Sequence, residues 1–278
     1  MRLPRITVVT PSFEQARFLE RTIVSVLEQG YPDLEYIVID GGSKDGSARI
    51  IEKYADSLAF WVSEPDRGQA HAIQKGFARA TGEILCWLNS DDVFLPGALL
   101  EAGRYFAEHP DVEAINGGAY VMDEAGQPKL DGFWTYSLGV AASFSRFRWY
   151  GQDGVFQQAT WWRRSAYEAV GGINEGLFFI MDKDLLTRLA KRRRLARIPR
   201  LLAAFRVHPE CKTVKHEERR LQEEVWFGKQ YRGGWCARLL HPAIYGVYRL
   251  QSLCRKMMTA GAVKWGLMDS GIPREEAV

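Results

Sequence analysis

Apolar positions along the first third of the chain alternate between strand-like and helix-like periods. Ile6 to Thr10 is a short β-branched run that Pro11 and Ser12 break, and Phe18, Leu19, Thr22, Ile23, Val26 and Leu27 then recur at helical spacing until Gly30. Leu34 to Ile39 predicts a second buried strand. A helix from about Gly46 to Tyr54, a strand around Ala59 to Val62, a helix from about Gln69 to Ala80 and a strand from Ile84 to Leu88 continue the alternation. Strands joined by helical crossovers predict an α/β fold with an open, doubly wound sheet. Ligands of such sheets collect beyond the carboxyl ends of the strands. Pro11-Ser12, Asp40 to Asp45, Glu64-Pro65-Asp66 and Asn89 to Asp92 each follow a predicted strand, so all four loops share one expected rim.

After Pro96 the pattern predicts a helix to about Glu108, a strand from Val112 to Asn116 and a hairpin turn at Asp123-Glu124-Ala125-Gly126. Residues 131–162 are rich in Trp, Phe and Tyr with little periodicity, which suits a loop region over a binding surface. Helices are expected from Met181 to Ala190 and from about Glu217 to Tyr231, with a basic segment running to about Phe205 between them. Beyond Gly233-Gly234, apolar residues from Leu239 to Met257 mix with Arg238, Arg249, Arg255 and Lys256 in an amphipathic helical pattern.

Composition limits the class. With 278 residues, 46% hydrophobic and 26% charged, the chain can bury a substantial core. No apolar stretch approaches the roughly 20 residues needed to span a bilayer. Met1-Arg2-Leu3-Pro4-Arg5 lacks the apolar region of a secretion signal, and Cys86, Cys211, Cys236 and Cys254 show no C-x-x-C spacing. The expectation is a cytoplasmic protein with reduced cysteines. The net charge of +3 conceals an asymmetry: residues 1–187 carry 17 Lys/Arg against 26 Asp/Glu, or −9, and residues 188–278 carry 20 against 8, or +12. A basic C-terminal third meets nucleic acid, an anionic membrane or a phosphorylated substrate, or is a solvated face.

The rim loops carry the candidate chemistry. Asp40-Gly41-Gly42-Ser43-Lys44-Asp45-Gly46-Ser47 lacks both the dinucleotide and the Walker fingerprints. Its carboxylates repel phosphate, so Asp40 and Asp45 suit hydrogen bonds to a base and ribose, and they equally suit a turn and a helix cap. Asp91 and Asp92 sit between a strand and a helix begun at Pro96. Adjacent carboxylates repel unless a cation or donors compensate. Mg²⁺ or Mn²⁺, held by one or two carboxylates and by substrate phosphates, is the natural partner, and a helix cap is the alternative.

Pro11-Ser12-Phe13, Asp40 to Ser47, Asp66-Arg67-Gly68-Gln69, Lys75-Gly76 and Trp87-Leu88-Asn89-Ser90-Asp91-Asp92 together resemble the family 2 glycosyltransferases of GT-A fold. Gly171-Gly172-Ile173-Asn174-Glu175 followed by Met181-Asp182-Lys183-Asp184-Leu185 is similar to the family's segment presenting the catalytic base, so the resemblance spans about residues 5–215. It implies a Rossmann-like open mixed sheet flanked by helices. A GT-A domain over 1–232 would comprise a nucleotide-sugar half (1–117) and an acceptor half with the base (118–232), with a basic helical extension at 233–278.

The resemblance also implies an inverting transfer from a nucleotide-diphosphate sugar, UDP-hexose being the expectation, to a glycan or polyprenyl-diphosphate-linked acceptor. Asp182 matches the general base. Thr10, Pro11, Ser12, Asp40, Asp45, Asp66, Gln69, Asn89, Ser90, Asp91 and Lys212 fall at donor positions, and Asp91, Asp92 and His208 at metal positions. Gln157, Gln158, Trp161 and Trp162 precede the base segment and are expected at the acceptor, where rings stack on sugar faces, with core packing accounting for at least one of the two tryptophans. Two residues depart from the family pattern: Asn89 stands where Asp is common, and Gln74 where Asn is common. A sugar-nucleotidyltransferase would need a triphosphate loop after the first strand, and Pro11 to Gln15 is not one. A non-catalytic nucleotide-sugar sensor would not need Asp182, and no nucleic-acid motif is present. Many relatives act at the cytoplasmic membrane face, so the basic end is expected as a peripheral contact with anionic lipid.

Overall fold

The computed structural model describes residues 2–128, 155–192, 194–212 and 217–231. Strands β1 (Ile6–Ser12), β2 (Leu34–Asp40), β3 (Phe60–Ser63) and β4 (Ile84–Trp87) alternate with helices α1 (Ala16–Leu27), α2 (Ser47–Glu52) and α3 (Gln69–Phe77). After them come β5 (Val93–Phe94), α4 (Ala98–Glu108), β6 (Ala114–Met122), β7 (Thr160–Arg163), α5 (Arg164–Ala169), α6 (Met181–Ala190), β8 (Leu195–Arg206) and α7 (Glu217–Tyr231).

The strands form one eight-stranded sheet in the order β3-β2-β1-β4-β7-β6-β8-β5. β3, β2, β1 and β4 are parallel, as crossover helices require. β7 is antiparallel to both β4 and β6, β8 runs parallel to β6, and β5 is antiparallel to β8. β5 follows β4 directly in sequence yet lies four places away in the sheet, so the chain between them, Leu88 to Asp92, bridges the middle of a curled sheet and its β5 edge.

β1, β2 and β4 are buried on both faces, which is why they read as continuous apolar runs. Their side chains join Leu19 and Ile23 of α1 and Leu99 and Phe106 of α4 in the core. Each such residue contributes about 1.5–3 kcal/mol when fully buried. Gly76 lets α3 lie directly on β1, since a Cβ there would stand 2.5 Å from Val9 Cγ1. Lys75 beside it pairs with Glu64 at 2.5 Å.

The second half departs from expectation in three places. β6 extends to Met122, past the predicted end at Asn116, through register shifts at Gly118. The basic segment expected before Phe205 is the twelve-residue strand β8. Residues 160–162, expected as part of a loop over a binding surface, form β7 between β4 and β6. An interior strand is buried on both faces, so its aromatic run shows no alternation. The predicted turn at Asp123–Gly126 is present, closed by Gly126 N–H donating to the Asp123 carbonyl at 3.0 Å.

The chain divides into two compact units, Met1–His216 and Glu217–Val278, of which α7 is the described part of the second. The expected domain boundary after residue 232, the extension 233–278 and most of the aromatic segment lie outside the described residues. Among the described residues no helix is long and apolar enough to cross a membrane.

Candidate active site

Four loops leave the carboxyl ends of β1 to β4, and their polar groups first hold one another. Asp40 is fully buried and its carboxylate accepts from Ser43 N at 2.9 Å, Ser43 Oγ at 2.6 Å, Ser63 Oγ at 2.6 Å and Gly42 N at 3.2 Å. Asp45 accepts from Ala16 N at 2.8 Å, and from Ser47 N at 3.0 Å and Ser47 Oγ at 2.6 Å, so it fastens the N-termini of α1 and α2 together. Burial pushes its acidity one way, and the bonds from Ser47 and Ala16 outweigh it and hold the carboxyl below its ordinary 3.8. Both residues therefore build the rim. Thr10 Oγ1 shares a hydrogen bond with Tyr36 Oη at 3.0 Å. Ser12 Oγ is buried with no hydrogen-bond partner among the described residues, leaving a polar group at the end of β1 for a ligand.

Gly41 is the meeting point of the first three loops. A Cβ there would stand 2.9 Å from Asp66 Oδ2 and 3.1 Å from Phe13 Cδ2. Phe13 is 61% exposed, an open aromatic face on the rim. Asp66 also accepts from Gly68 N at 2.6 Å at the start of α3.

The fourth loop is the acidic turn, with Ser90 buried inside it. A donor chain runs into the turn: Lys212 Nζ donates to Gln69 Oε1 at 2.9 Å, Gln69 Nε2 to Asn89 Oδ1 at 2.7 Å, and Asn89 Nδ2 to Asp92 Oδ2 at 3.2 Å. Asp92 Oδ1 accepts from Arg206 N at 2.9 Å, and Gln158 also bonds this carboxylate. Asp92 is fully buried, and burial together with the charge of Asp91 lifts its carboxyl well above the usual range. Arg206 supports the turn from beneath, donating from Nε to the Asp91 carbonyl at 2.8 Å and from Nη1 to the carbonyls of Glu124 at 2.8 Å and Asp123 at 3.2 Å.

Asp91 faces the other way. Its Oδ2 is 3.2 Å from Nε2 of His208, whose side chain is fully buried and lies against the Phe18 ring at 4.6 Å. Asp91, His208 and Cys211 each bring one ligand atom within 4.8 Å of the other two. His208 Nδ1 is buried with no hydrogen-bond partner among the described residues. A buried imidazole beside a carboxylate and a sulfur is a donor set that fits a divalent transition metal. Asp92 stands apart from this group, because hydrogen bonds turn its oxygens toward Asn89, Gln158 and the β8 backbone.

The sequence profile described as Glycosyl transferase family 2 matches residues 7–171. The chain belongs to glycosyl transferase family 2. An uncharacterized glycosyltransferase of Mycobacterium tuberculosis, Rv1514c, is 31% identical over 191 residues, covering 67% of this chain and 69% of that protein. TuaG of Bacillus subtilis, a glycosyltransferase provisionally placed in teichuronic acid biosynthesis, is 31% identical over 133 residues, 47% of this chain and 52% of its own. The mannosyltransferase PcManGT of Pyrobaculum calidifontis, solved with GDP-Man and Mn²⁺, superposes with a TM-score of 0.65 at 24% identity, covering 84% of this chain and 66% of that one. Residues 1–349 of TarS from S. aureus, solved with UDP-GlcNAc, superpose with a TM-score of 0.63 at 17% identity, covering 81% and 65%. The sheet is therefore that of the GT-A glycosyltransferases.

Within this glycosyltransferase, Asp182 stands in the first turn of α6, part-buried, with Oδ1 accepting from Lys183 N at 2.7 Å. The segment ahead of it is tied to the rim: Arg67 pairs with Glu175 at 2.6 Å, and Lys212 Nζ lies 3.9 Å from the centre of the Phe178 ring. Gln74, the departure in the Lys75-Gly76 motif, accepts from Tyr167 Oη at 2.7 Å and so joins α3 to α5.

The four expected acceptor residues are corrected by their burial. Trp161 and Trp162 are 0% exposed, the first stacked on Phe94 and the second packed edge-on against Trp87, so neither offers a ring face to a sugar. Gln157 is buried and donates to the Trp87 carbonyl at 2.8 Å, and Gln158 is buried on Asp92. These amides support the acidic turn. Arg206, Cys211 and Phe13 were given no individual role at the site from sequence. Arg206 carried no sequence signal, since its role comes from lying beneath a turn 115 residues earlier. Cys211 had one, the His208-Pro209-Glu210-Cys211 spacing directly after β8.

Proposed function

We propose that the chain is an inverting, metal-dependent hexosyltransferase that moves a sugar from a nucleotide diphosphate, UDP by expectation, to a hydroxyl of a glycan or polyprenyl-diphosphate-linked glycan in cell-surface polysaccharide assembly. The observation that carries this reading is the juxtaposition of Asp91 with His208 at the end of the parallel strands, beside the chain from Lys212 through Gln69 to Asn89. One side of the rim offers a cation site and the other a fixed ammonium group, the two charges a departing diphosphate needs. The donors bound by PcManGT and TarS are nucleotide-diphosphate sugars, which supports the same substrate class here.

Each role follows from local chemistry. Phe13 offers an exposed ring to the base, and Ser12 Oγ and Asp66 offer polar contacts to base and ribose. Lys212 neutralises a diphosphate oxygen, drawing on its present bond to Gln69. Asp91 and His208 would hold Mg²⁺ or Mn²⁺, which supplies Lewis-acid stabilisation of the leaving diphosphate. Asp182 accepts the acceptor proton as its oxygen attacks the anomeric carbon from the face opposite the leaving group, and this in-line course inverts the centre. The basic C-terminal third, +12 over residues 188–278, suits an acceptor held at an anionic membrane.

The test is a donor screen following released nucleotide diphosphate across UDP-, GDP-, dTDP- and CMP-sugars, each with Mn²⁺, Mg²⁺ and chelator. Metal-dependent release from one donor class, including slow hydrolysis without acceptor, is expected. Silence with every donor and both metals would overturn the proposal.

A further inference from the structure

Cys211 has no part in the transfer just described, yet its Sγ lies within 4.8 Å of the ligand atoms of Asp91 and His208. Short-range geometry fixes it there. Cys211 N–H donates to the His208 carbonyl at 3.0 Å, closing a turn. Its Sγ then accepts from His208 N–H at 3.2 Å and donates to the Arg206 carbonyl at 3.4 Å. Burial pushes the Cys211 thiol well above its ordinary range, and the His208 N–H bond only partly offsets this, so it would take a cation at the sulfur to draw out the thiolate. Cys211 is 5% exposed and the neighbouring imidazole is fully buried, with Nε2 3.2 Å from Asp91 Oδ2, so sulfur, nitrogen and carboxylate oxygen are held close together away from water.

We infer that Cys211 is a direct protein ligand of the metal, completing an Asp91–His208–Cys211 site of oxygen, nitrogen and sulfur donors that prefers Mn²⁺ to Mg²⁺ and binds the softer Co²⁺ and Zn²⁺ more tightly still. The inference rests on reading Asp91 and His208 as the metal-binding pair. Mg²⁺ demands oxygen ligands in a near-ideal octahedron and gains little from a thiolate. Zn²⁺ and Co²⁺ bind thiolate, imidazole and carboxylate together with three protein ligands, leaving a fourth position for a substrate oxygen. A bound ion would hold the sulfur as thiolate, its proton going to water, so the Sγ–H bond to the Arg206 carbonyl would be lost and the one accepted from His208 N–H could remain.

The experiment uses the full chain stripped of metal and titrated with Co²⁺. The wild type is expected to develop a near-ultraviolet thiolate-to-cobalt charge-transfer band, and Cys211→Ser to keep the cobalt d–d bands while losing that band. Cys86, Cys236 and Cys254 are present in both proteins, so the difference reports Cys211 alone. Zn²⁺ should displace Co²⁺ readily and Mg²⁺ poorly, and the Zn²⁺-to-Mg²⁺ affinity ratio should fall at least about tenfold in Cys211→Ser. Zinc-edge X-ray absorption on the wild type should find sulfur at about 2.3 Å, a measurement independent of how the variant folds. Co²⁺ binding that is lost in Asp91→Asn but shows no sulfur band or sulfur scatterer would overturn the role of Cys211 and leave the Asp91–His208 site standing. Equal Co²⁺ binding by wild type and Asp91→Asn would overturn both.

Discussion

Asn89 illustrates how a departure from a family pattern acquires a physical reason. Its amide donates to Asp92 while accepting from Gln69, and an ionised carboxylate, which only accepts, cannot do both. An Asp at 89 would set a second carboxylate against the buried Asp92 and leave the turn without that donor. Asn89→Asp is therefore expected to lower stability by about 1–3 kcal/mol in metal-free buffer, read as a drop in Tm. An unchanged melting curve would contradict the donor chain. Asp182 belongs to a different chemistry. Asp182→Asn should abolish sugar transfer while the Mn²⁺-dependent thermal shift with nucleotide diphosphate persists, because the base contacts the acceptor and not the donor. Retained turnover would remove Asp182 from the mechanism and favour another base. These side chains were legible as chemistry in the sequence, and Asp40 and Asp45 were legible as polar loop residues. Their engagement by backbone donors, which makes them builders of the rim, depends on loops brought together from distant segments.

Among the elements, β1 to β4 and α1 to α3 match the hydrophobic periods closely, since the buried parallel strands are short apolar runs and each is joined to the next by an amphipathic crossover helix. β7 and β8 do not, because β7 is an aromatic run buried on both faces and β8 a basic run whose pairing with β6 and β5 overrides local pattern. The basic run after α6 shows the same effect. Arg192 spends its charge on Glu113 through bonds of 2.5 and 2.7 Å, tying the end of α6 to the start of β6, and Arg200 pairs with Glu101 at 2.5 Å. Hydrogen bonds and charge from Arg192, then the charges of Arg194 and Arg163, hold the Glu113 carboxyl below its ordinary 4.5 against the opposing effect of burial. A carboxyl whose folded value is lowered contributes stability in full above its unfolded value and loses it as pH falls through the folded one. Glu113→Gln should thus be less stable than wild type by about 1 kcal/mol near neutral pH, with the gap closing below the ordinary carboxylate range. Denaturant titrations at about pH 7 and about pH 3 measure it. A gap that persisted in acid would point to packing instead of charge.

At the scale of the whole molecule, the charge asymmetry poses the remaining question. Some of the basic third is consumed in ion pairs within the first unit, which leaves the second unit, from Glu217 onward, as the place to look for a membrane contact. If the amphipathic pattern beyond residue 233 lies on lipid, the full chain should float with vesicles containing anionic phosphatidylglycerol. It should not float with neutral vesicles, and salt should release it. Removal of residues 233–278 should abolish flotation. Equal behaviour of full-length and shortened chains would assign the excess charge to solvent or acceptor.

The sequence by itself determined the alternating α/β half of the molecule, the four rim loops and the identity of the acidic turn, because these depend on local periodicity and on residue types at close spacing. Tertiary structure decided which acid faces which way. Asp91 and Asp92 are equivalent as letters, and only the curl of the sheet, carrying β8 under the turn, gives Arg206 and Gln158 to Asp92 and leaves Asp91 to His208 and Cys211. The same curl buries Trp161 and Trp162, which composition alone would assign to a sugar as readily as to a core. Burial and partnership across more than a hundred residues are properties of the folded chain, and no local pattern encodes them.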